Sequence, residues 1–326
     1  MRINMEDWFD ENPERVKLGV ELELFLFDMN TKKPLDDMEL LESILNHLPE
    51  NIYRDYYPHQ LEIRTTPKET PEEVIQQTKD LYNLASEELQ KHNIVIVPAP
   101  NITDNGYMWC GMHIHISYPD RVQTAPYFNK AMNMYPFILS LADHIKNFEV
   151  DNLRIGNRME KSRHIGLPYI VKNEFLKGNN GDRKYRDIIL SNANAGNGGN
   201  RMEKPNTIEI RLFDTPSLLS TYESTIHQIF KLARHIKVNA PVTDMIERDI
   251  NRANQLLDIT RSLIIKQRYG VNKFFHMTNT NVCSDVAEFF EIPFDRETQF
   301  EYRERMGLSA NINGYLSMAI EGGWLD

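Results

Sequence analysis

Four short stretches of this chain place acids, imidazoles and guanidiniums at every second position. Gly19-Val20-Glu21-Leu22-Glu23-Leu24-Phe25-Leu26-Phe27-Asp28 carries two glutamates, and Leu61-Glu62-Ile63-Arg64-Thr65 carries Glu62 and Arg64. Gly111-Met112-His113-Ile114-His115-Ile116-Ser117 carries two histidines, and Thr207-Ile208-Glu209-Ile210-Arg211-Leu212 carries Glu209 and Arg211. Along a β-strand successive side chains point to opposite faces. Each stretch therefore reads as a strand with one aliphatic face and one face of Glu, His or Arg. If the four strands adjoin, Glu21, Glu23, Glu62, His113, His115 and Glu209 line one cleft, with Arg64 and Arg211 beside them. Carboxylates packed that closely resist ionisation unless cations relieve the repulsion. An oxygen-rich donor set with an imidazole suits Mg²⁺ or Mn²⁺.

An alternating strand also arises where one sheet face simply meets water. Two features favour a site. Metal-ligand residue types fill these positions almost exclusively, and the Glu21–Glu23 face continues into Phe25 and Phe27, which need cover.

The elements that would position these residues are mixed. Segments 16–28, 61–66, 94–97, 112–117, 188–192 and 207–213 read as strands, and 34–48, 70–92, 125–149, 217–239, 243–267, 284–290 and 296–305 as helices. Thr70-Pro71-Glu72-Glu73 is a helix start, with a capping threonine, proline at the first position and acids in the first turn. Strands dominate the first two-thirds and helices the last third. That order predicts an α+β fold, a mainly antiparallel sheet with helices packed on one side. No linker divides the chain, so 1–326 reads as a single domain whose part beyond about 217 is largely helical. The glycine- and asparagine-rich stretch 178–206 reads as loops within it, either closing over a reacting ligand or merely connecting strands.

The composition narrows the function. The 326 residues include 47 acids against 37 bases, a formal charge of −10, which argues against a general nucleic-acid or anionic-membrane binder. No apolar run approaches the ~20 residues of a membrane span. The acidic start of the chain does not read as a signal peptide. With only Cys110 and Cys283, a reducing cytoplasm is the expected setting. Cys110 reads as a buried thiol, and His227 and His235 as structural. Arg154, Arg158, Arg163 and His164 form either an anion-binding segment or a solvated basic one. The oligomeric state, monomer or homo-oligomer, stays open.

The quoted segments resemble the glutamine synthetase-like carboxylate–amine ligase superfamily. The 19–28 stretch looks like its Glu-x-Glu metal strand, 111–117 its Gly-x-His-x-His segment and 207–214 its Glu-x-Arg strand, in the family's order. The short run before Glu21, and Arg183-Lys184-Tyr185-Arg186 followed by Asn192, are more similar to the glutamate–cysteine ligase type 2 and amidoligase branches. The resemblance implies a curved, mainly antiparallel sheet with helices on its outer face. It further implies ATP and Mg²⁺ (or Mn²⁺) as cofactors, and small-molecule carboxylate and amine partners joined through an acyl phosphate. Glu23 and Glu62 would hold one metal, and Glu21, His113 and Glu209 another beside the nucleotide phosphates. Arg211, with Glu209, would serve catalysis by steadying the phosphoryl group in flight. Arg64, His115, Arg183 and Arg186 are candidates for contacts to the nucleotide. The family carries a further acid shortly before the position of Glu62; Asp55 and His59 are the two candidates here. Two other functions remain: a cupin-like non-haem metal oxygenase using His113-x-His115 with a glutamate, and a non-catalytic relative acting as a binding module.

Overall fold

The computed structural model describes residues 16–99, 110–117, 138, 188–191 and 207–239. The strands are β1 Lys17–Asp28, β2 Lys33–Pro34, β3 Ile52–Arg54, β4 Gln60–Arg64, β5 Ile94–Val97, β6 Gly111–Ser117, β7 Ile188–Ser191 and β8 Thr207–Asp214. The helices are α1 Met38–Leu45, α2 Pro71–Gln90 and α3 Leu219–Asn239. The expected segments 125–149 (apart from Ile138, which is helical and buried), 243–267, 284–290 and 296–305, the 178–206 loop apart from β7, and Arg154, Arg158, Arg163, His164, Arg183, Arg186 and Cys283 lie outside the described residues.

The eight strands form one antiparallel sheet in the order β3-β4-β1-β6-β8-β7, with β2 and β5 also paired to β1. This is the α+β architecture expected from the sequence. Its hub is β1, twelve residues long. The 17–22 part pairs with β6 and the 25–28 part with β5, so two strands share it end to end.

One face of the sheet is aliphatic. Leu18, Val20, Leu22, Leu24, Leu26, Leu61, Ile63, Ile114, Ile116, Ile208 and Ile210 are all buried. Fully burying such a side chain stabilises by about 1.5–3 kcal/mol. Helix α2 contacts β1, β4 and β5 and buries Val74, Ile75, Thr78, Tyr82, Ala85 and Leu89 along one stripe. Its start follows the sequence: Thr70 Oγ1 accepts from Glu73 N at 3.3 Å and donates to Glu73 Oε2 at 2.9 Å. Helix α3 packs on α2, where the buried Thr78 Oγ1 and Tyr222 hydroxyl lie 2.6 Å apart.

Three local departures have physical causes. The helix expected over 34–48 begins only at Met38, because Pro34 pairs with Phe27 and Leu35 N donates to Leu26 O at 2.9 Å. Asp37 is extended and caps α1, accepting from Leu40 N at 2.9 Å. Strand β3 has three residues, too few for a period to register. In β8 the alternation breaks. Ile114 pairs with Ile210 but Met112 pairs with Phe213, so β8 has one residue more than β6 over this stretch, a β-bulge. The bulge puts Phe213, fully buried, on the face of Ile208 and Ile210.

Candidate metal centre on the second face of the sheet

The opposite face collects the polar positions of all four strands. In register, Glu21 lies opposite Arg64 on β4 and His113 on β6, Glu23 opposite Glu62, and His115 opposite Glu209. Directly opposed side chains share a face and sit within contact range. Most of this face is buried: Glu209 is 0% exposed, His113 and His115 3%, Glu62 4% and Glu23 8%, while Glu21, Arg64 and Arg211 keep partial access to solvent. Part of its cover is apolar, as Phe25 and Phe27 pack with Val95, Val97, Ala99 and Cys110. Cys110 is buried there as a free thiol.

Two groups of donors result. Glu21, His113 and Glu209 bring ligand atoms within 4.8 Å of one another, and so do Glu23, Asp55 and Glu62. His113 stands between them, its Nδ1 3.2 Å from Glu21 Oε2 and 3.9 Å from Glu209 Oε1, its Nε2 3.5 Å from Glu23 Oε1. Glu23 is held from both ends of its residue: Gly111 N donates to Oε2 at 2.7 Å and Thr215 Oγ1 to the carbonyl at 2.7 Å.

Between the expected candidates Asp55 and His59, Asp55 is the one that joins Glu23 and Glu62. His59 instead stacks between Tyr57, at 5.2 Å and 7°, and Phe25, at 6.3 Å and 21°. Burial lowers the pKa of His59, against a weaker opposing pull from Asp36. Below its ordinary value of 6.5 the unfolded chain takes up a proton that folded His59 refuses, so stability falls as pH drops from there to the depressed folded value. Urea titrations at pH 7.5 and 5.0 should show a smaller acid loss for His59→Phe than for the native chain. Equal losses would mean that His59 takes no part in the acid sensitivity.

Two arginines flank the acids. Arg64 Nε lies 2.7 Å from Glu62 Oε1 and 3.3 Å from Glu21 Oε1, and Arg211 donates to Glu209. Burial opposes the charge on Arg211, but Glu209, Glu23 and Glu21 outweigh it and hold its pKa above the usual arginine value. His115 is oriented by Thr207, with Nδ1 2.8 Å from Oγ1, while its Nε2 lies 3.6 Å from Glu21 Oε1.

The sequence reading did not single out Tyr53, whose hydroxyl donates to Glu62 and whose ring lies under the Arg64 guanidinium at 4.1 Å. Its only signal was its place between Ile52 and Arg54 in a strand too short to recognise. Thr207, beside the His115 ring, and Thr215, on the Glu23 carbonyl, were also missed; a hydroxyl that bonds a distant strand leaves no spacing pattern.

Among the described residues, five carboxylates against two guanidiniums give a formal excess of three negative charges on a largely buried surface. Glu23 directly opposite Glu62 is itself a destabilising pair. The donor set fits hard divalent cations.

No protein-family model and no curated protein matches this chain. Solved structures do. A bifunctional glutathione synthetase from Pasteurella multocida is similar over 98% of this chain, with a TM-score of 0.57 and 12% identity. This chain spans only half of that enzyme's length. A glutamate–cysteine ligase from Francisella tularensis, solved in complex with AMP, is similar over 94% of this chain and 88% of its own, with a TM-score of 0.60 and 11% identity. The likeness at these identities is one of fold. No described helix is long and apolar enough to cross a membrane.

Proposed function

We propose that this chain is an ATP-dependent ligase that joins a carboxylate to an amine. The observation that carries this reading is the pair of adjoining donor groups, Glu21–His113–Glu209 and Glu23–Asp55–Glu62, on one buried sheet face with Arg211 beside them. The fold shared with two amide-forming enzymes supports it. In this reading the acid is a glutamate-like γ-carboxyl, the branch is that of glutamate–cysteine ligase type 2 or the amidoligases, and residues 1–326 act as one cytoplasmic catalytic domain.

A carboxylate does not condense with an amine in water, because oxide is a poor leaving group. Transfer of the γ-phosphoryl group of ATP to a carboxylate oxygen releases ADP and creates an acyl phosphate. The amine then attacks the carbonyl carbon, phosphate leaves, and one proton is lost from nitrogen. Phosphoryl transfer depends on positioning and charge neutralisation more than on covalent help. Two bound Mg²⁺ or Mn²⁺ ions would turn the excess of three negative charges into a single positive one, suited to a triphosphate. Glu21, His113 and Glu209 would hold one ion, and Glu23, Asp55 and Glu62 the other. Arg211, kept charged by Glu209, would meet the oxygens of the migrating phosphoryl group through its fork of donors. His115, fixed by Thr207, and Arg64, with Arg183 and Arg186, would contact the nucleotide. The sheet's apolar cover at Phe25 and Phe27 would keep water from one end of the face.

A facial-triad oxygenase would give the Glu23–Asp55–Glu62 group nothing to do, so the ligase reading accounts for more of the site. The test is incubation with ATP, Mg²⁺ and pools of amino acids and amines. ADP and phosphate should appear only when both an acid and an amine are present, in step with a new amide. Iron content with oxygen uptake and no nucleotide binding would replace this reading with the oxygenase one. Absence of both activities, with little nucleotide binding, would leave a binding module.

A further inference from the structure

Arg64 occupies an unusual place in the centre. Its Nε approaches Glu62 of one donor group at 2.7 Å and Glu21 of the other at 3.3 Å. Arg64, like His113, thus reaches both donor sets. Arg64 is also braced. Its guanidinium lies over the Tyr53 ring at 4.1 Å, and Tyr53 in turn donates to Glu62. The register explains the arrangement: Arg64 is opposite Glu21, Glu62 is opposite both Glu23 and Tyr53, and Glu62 and Arg64 are two apart on one strand face. A stacked guanidinium loses little freedom when it binds, and its charge is permanent.

Resting on the two-cation reading above, we infer that Arg64, held by Tyr53, is a positioning residue that acts as a counter-ion shared by both donor groups and so sets their cation affinities together. Before cations arrive, it offsets the repulsion among Glu21, Glu62 and Glu23 and keeps the carboxylates close. Once a divalent ion binds, the same fixed positive charge lies within a few ångströms of it and opposes it. Both sites are therefore weaker than their carboxylates alone would make them, and neither can be tuned through Arg64 without the other. A lysine retains the charge but not the planar fork, so the two features separate by substitution.

The test uses the full chain and Mn²⁺ alone, followed by calorimetric titration and by loss of the free-ion paramagnetic resonance signal. Thermal unfolding of each variant checks that it is folded. The native chain should take up two Mn²⁺ ions. Arg64→Gln should tighten binding at both sites by roughly tenfold, since a repelling charge is gone, and Arg64→Met should agree with it, giving a second neutral variant if the first is unfolded. Arg64→Lys should return both affinities to within about threefold of the native values, which a purely structural role for Arg64 would not produce. Unchanged affinities in the neutral variants, tightening at one site only, or weakening at both would overturn the shared counter-ion. No Mn²⁺ uptake by the native chain would overturn the two-cation reading itself and the inference with it. Two ions bound by the native chain with unresponsive variants would remove the role of Arg64 alone.

Discussion

Glu209→Gln should lower ATP turnover by at least roughly 10³-fold and reduce Mn²⁺ uptake from two ions to one. Glutamine matches glutamate in shape, so the fully buried position in the middle of β8 can still be filled. What it cannot supply is charge. Glu209 faces His113 Nδ1 at 3.9 Å within the Glu21–His113–Glu209 group and is the charged partner of Arg211. Substitution leaves that group with one carboxylate instead of two and leaves the buried Arg211 with a neutral neighbour. Metal ions and arginines at a phosphoryl centre stabilise developing charge by several kcal/mol, and ~4 kcal/mol corresponds to ~10³ in rate. Circular dichroism should be unchanged, and ADP release with Mn²⁺ binding reads the effect. Native turnover with two ions still bound would remove Glu209 from the centre.

The largest stability effect is expected at Phe25. Its side chain is fully buried although it sits on the same face as Glu21 and Glu23. It packs with Phe27, Val95, Val97, Ala99 and Cys110 and stacks near His59. Phe25→Ala removes a whole ring from a site fixed by β4 on one side and β5 on the other, opposite Gln60 and Val97, so little collapse can fill the gap. Such truncations cost about 3–5 kcal/mol. Urea denaturation should show that loss as a lower midpoint at unchanged slope. Since Glu23 is two residues away and His59 lines the turn that follows Asp55, cation binding at Glu23–Asp55–Glu62 should weaken as well. A cost under ~1 kcal/mol would mean that this cover is not part of the fold's support.

Much of this architecture was legible in the chain. The period of two in 19–28, 61–65 and 111–117 determined which residues share a face, because strand geometry alone sets it. Thr70-Pro71-Glu72-Glu73 likewise determined where α2 begins, because a helix start satisfies its exposed N–H groups with nearby side chains. Tertiary structure alone decided which strands are neighbours. β1 lies between β4 and β6, and Glu23 takes hydrogen bonds from residues 88 and 192 positions away. No local period encodes such pairings. The same holds for the choice of Asp55 over His59. Both lie in the short stretch before Glu62, but the β3–β4 turn brings one carboxylate to Glu23 and lays the imidazole against Phe25 and Tyr57. The bulge in β8 was equally invisible: it depends on the register with β6, and it moves Phe213 to the aliphatic face, where burial is favourable. Local sequence thus sets the face of each side chain, while long-range pairing decides which faces meet and which charges come within reach of one ion.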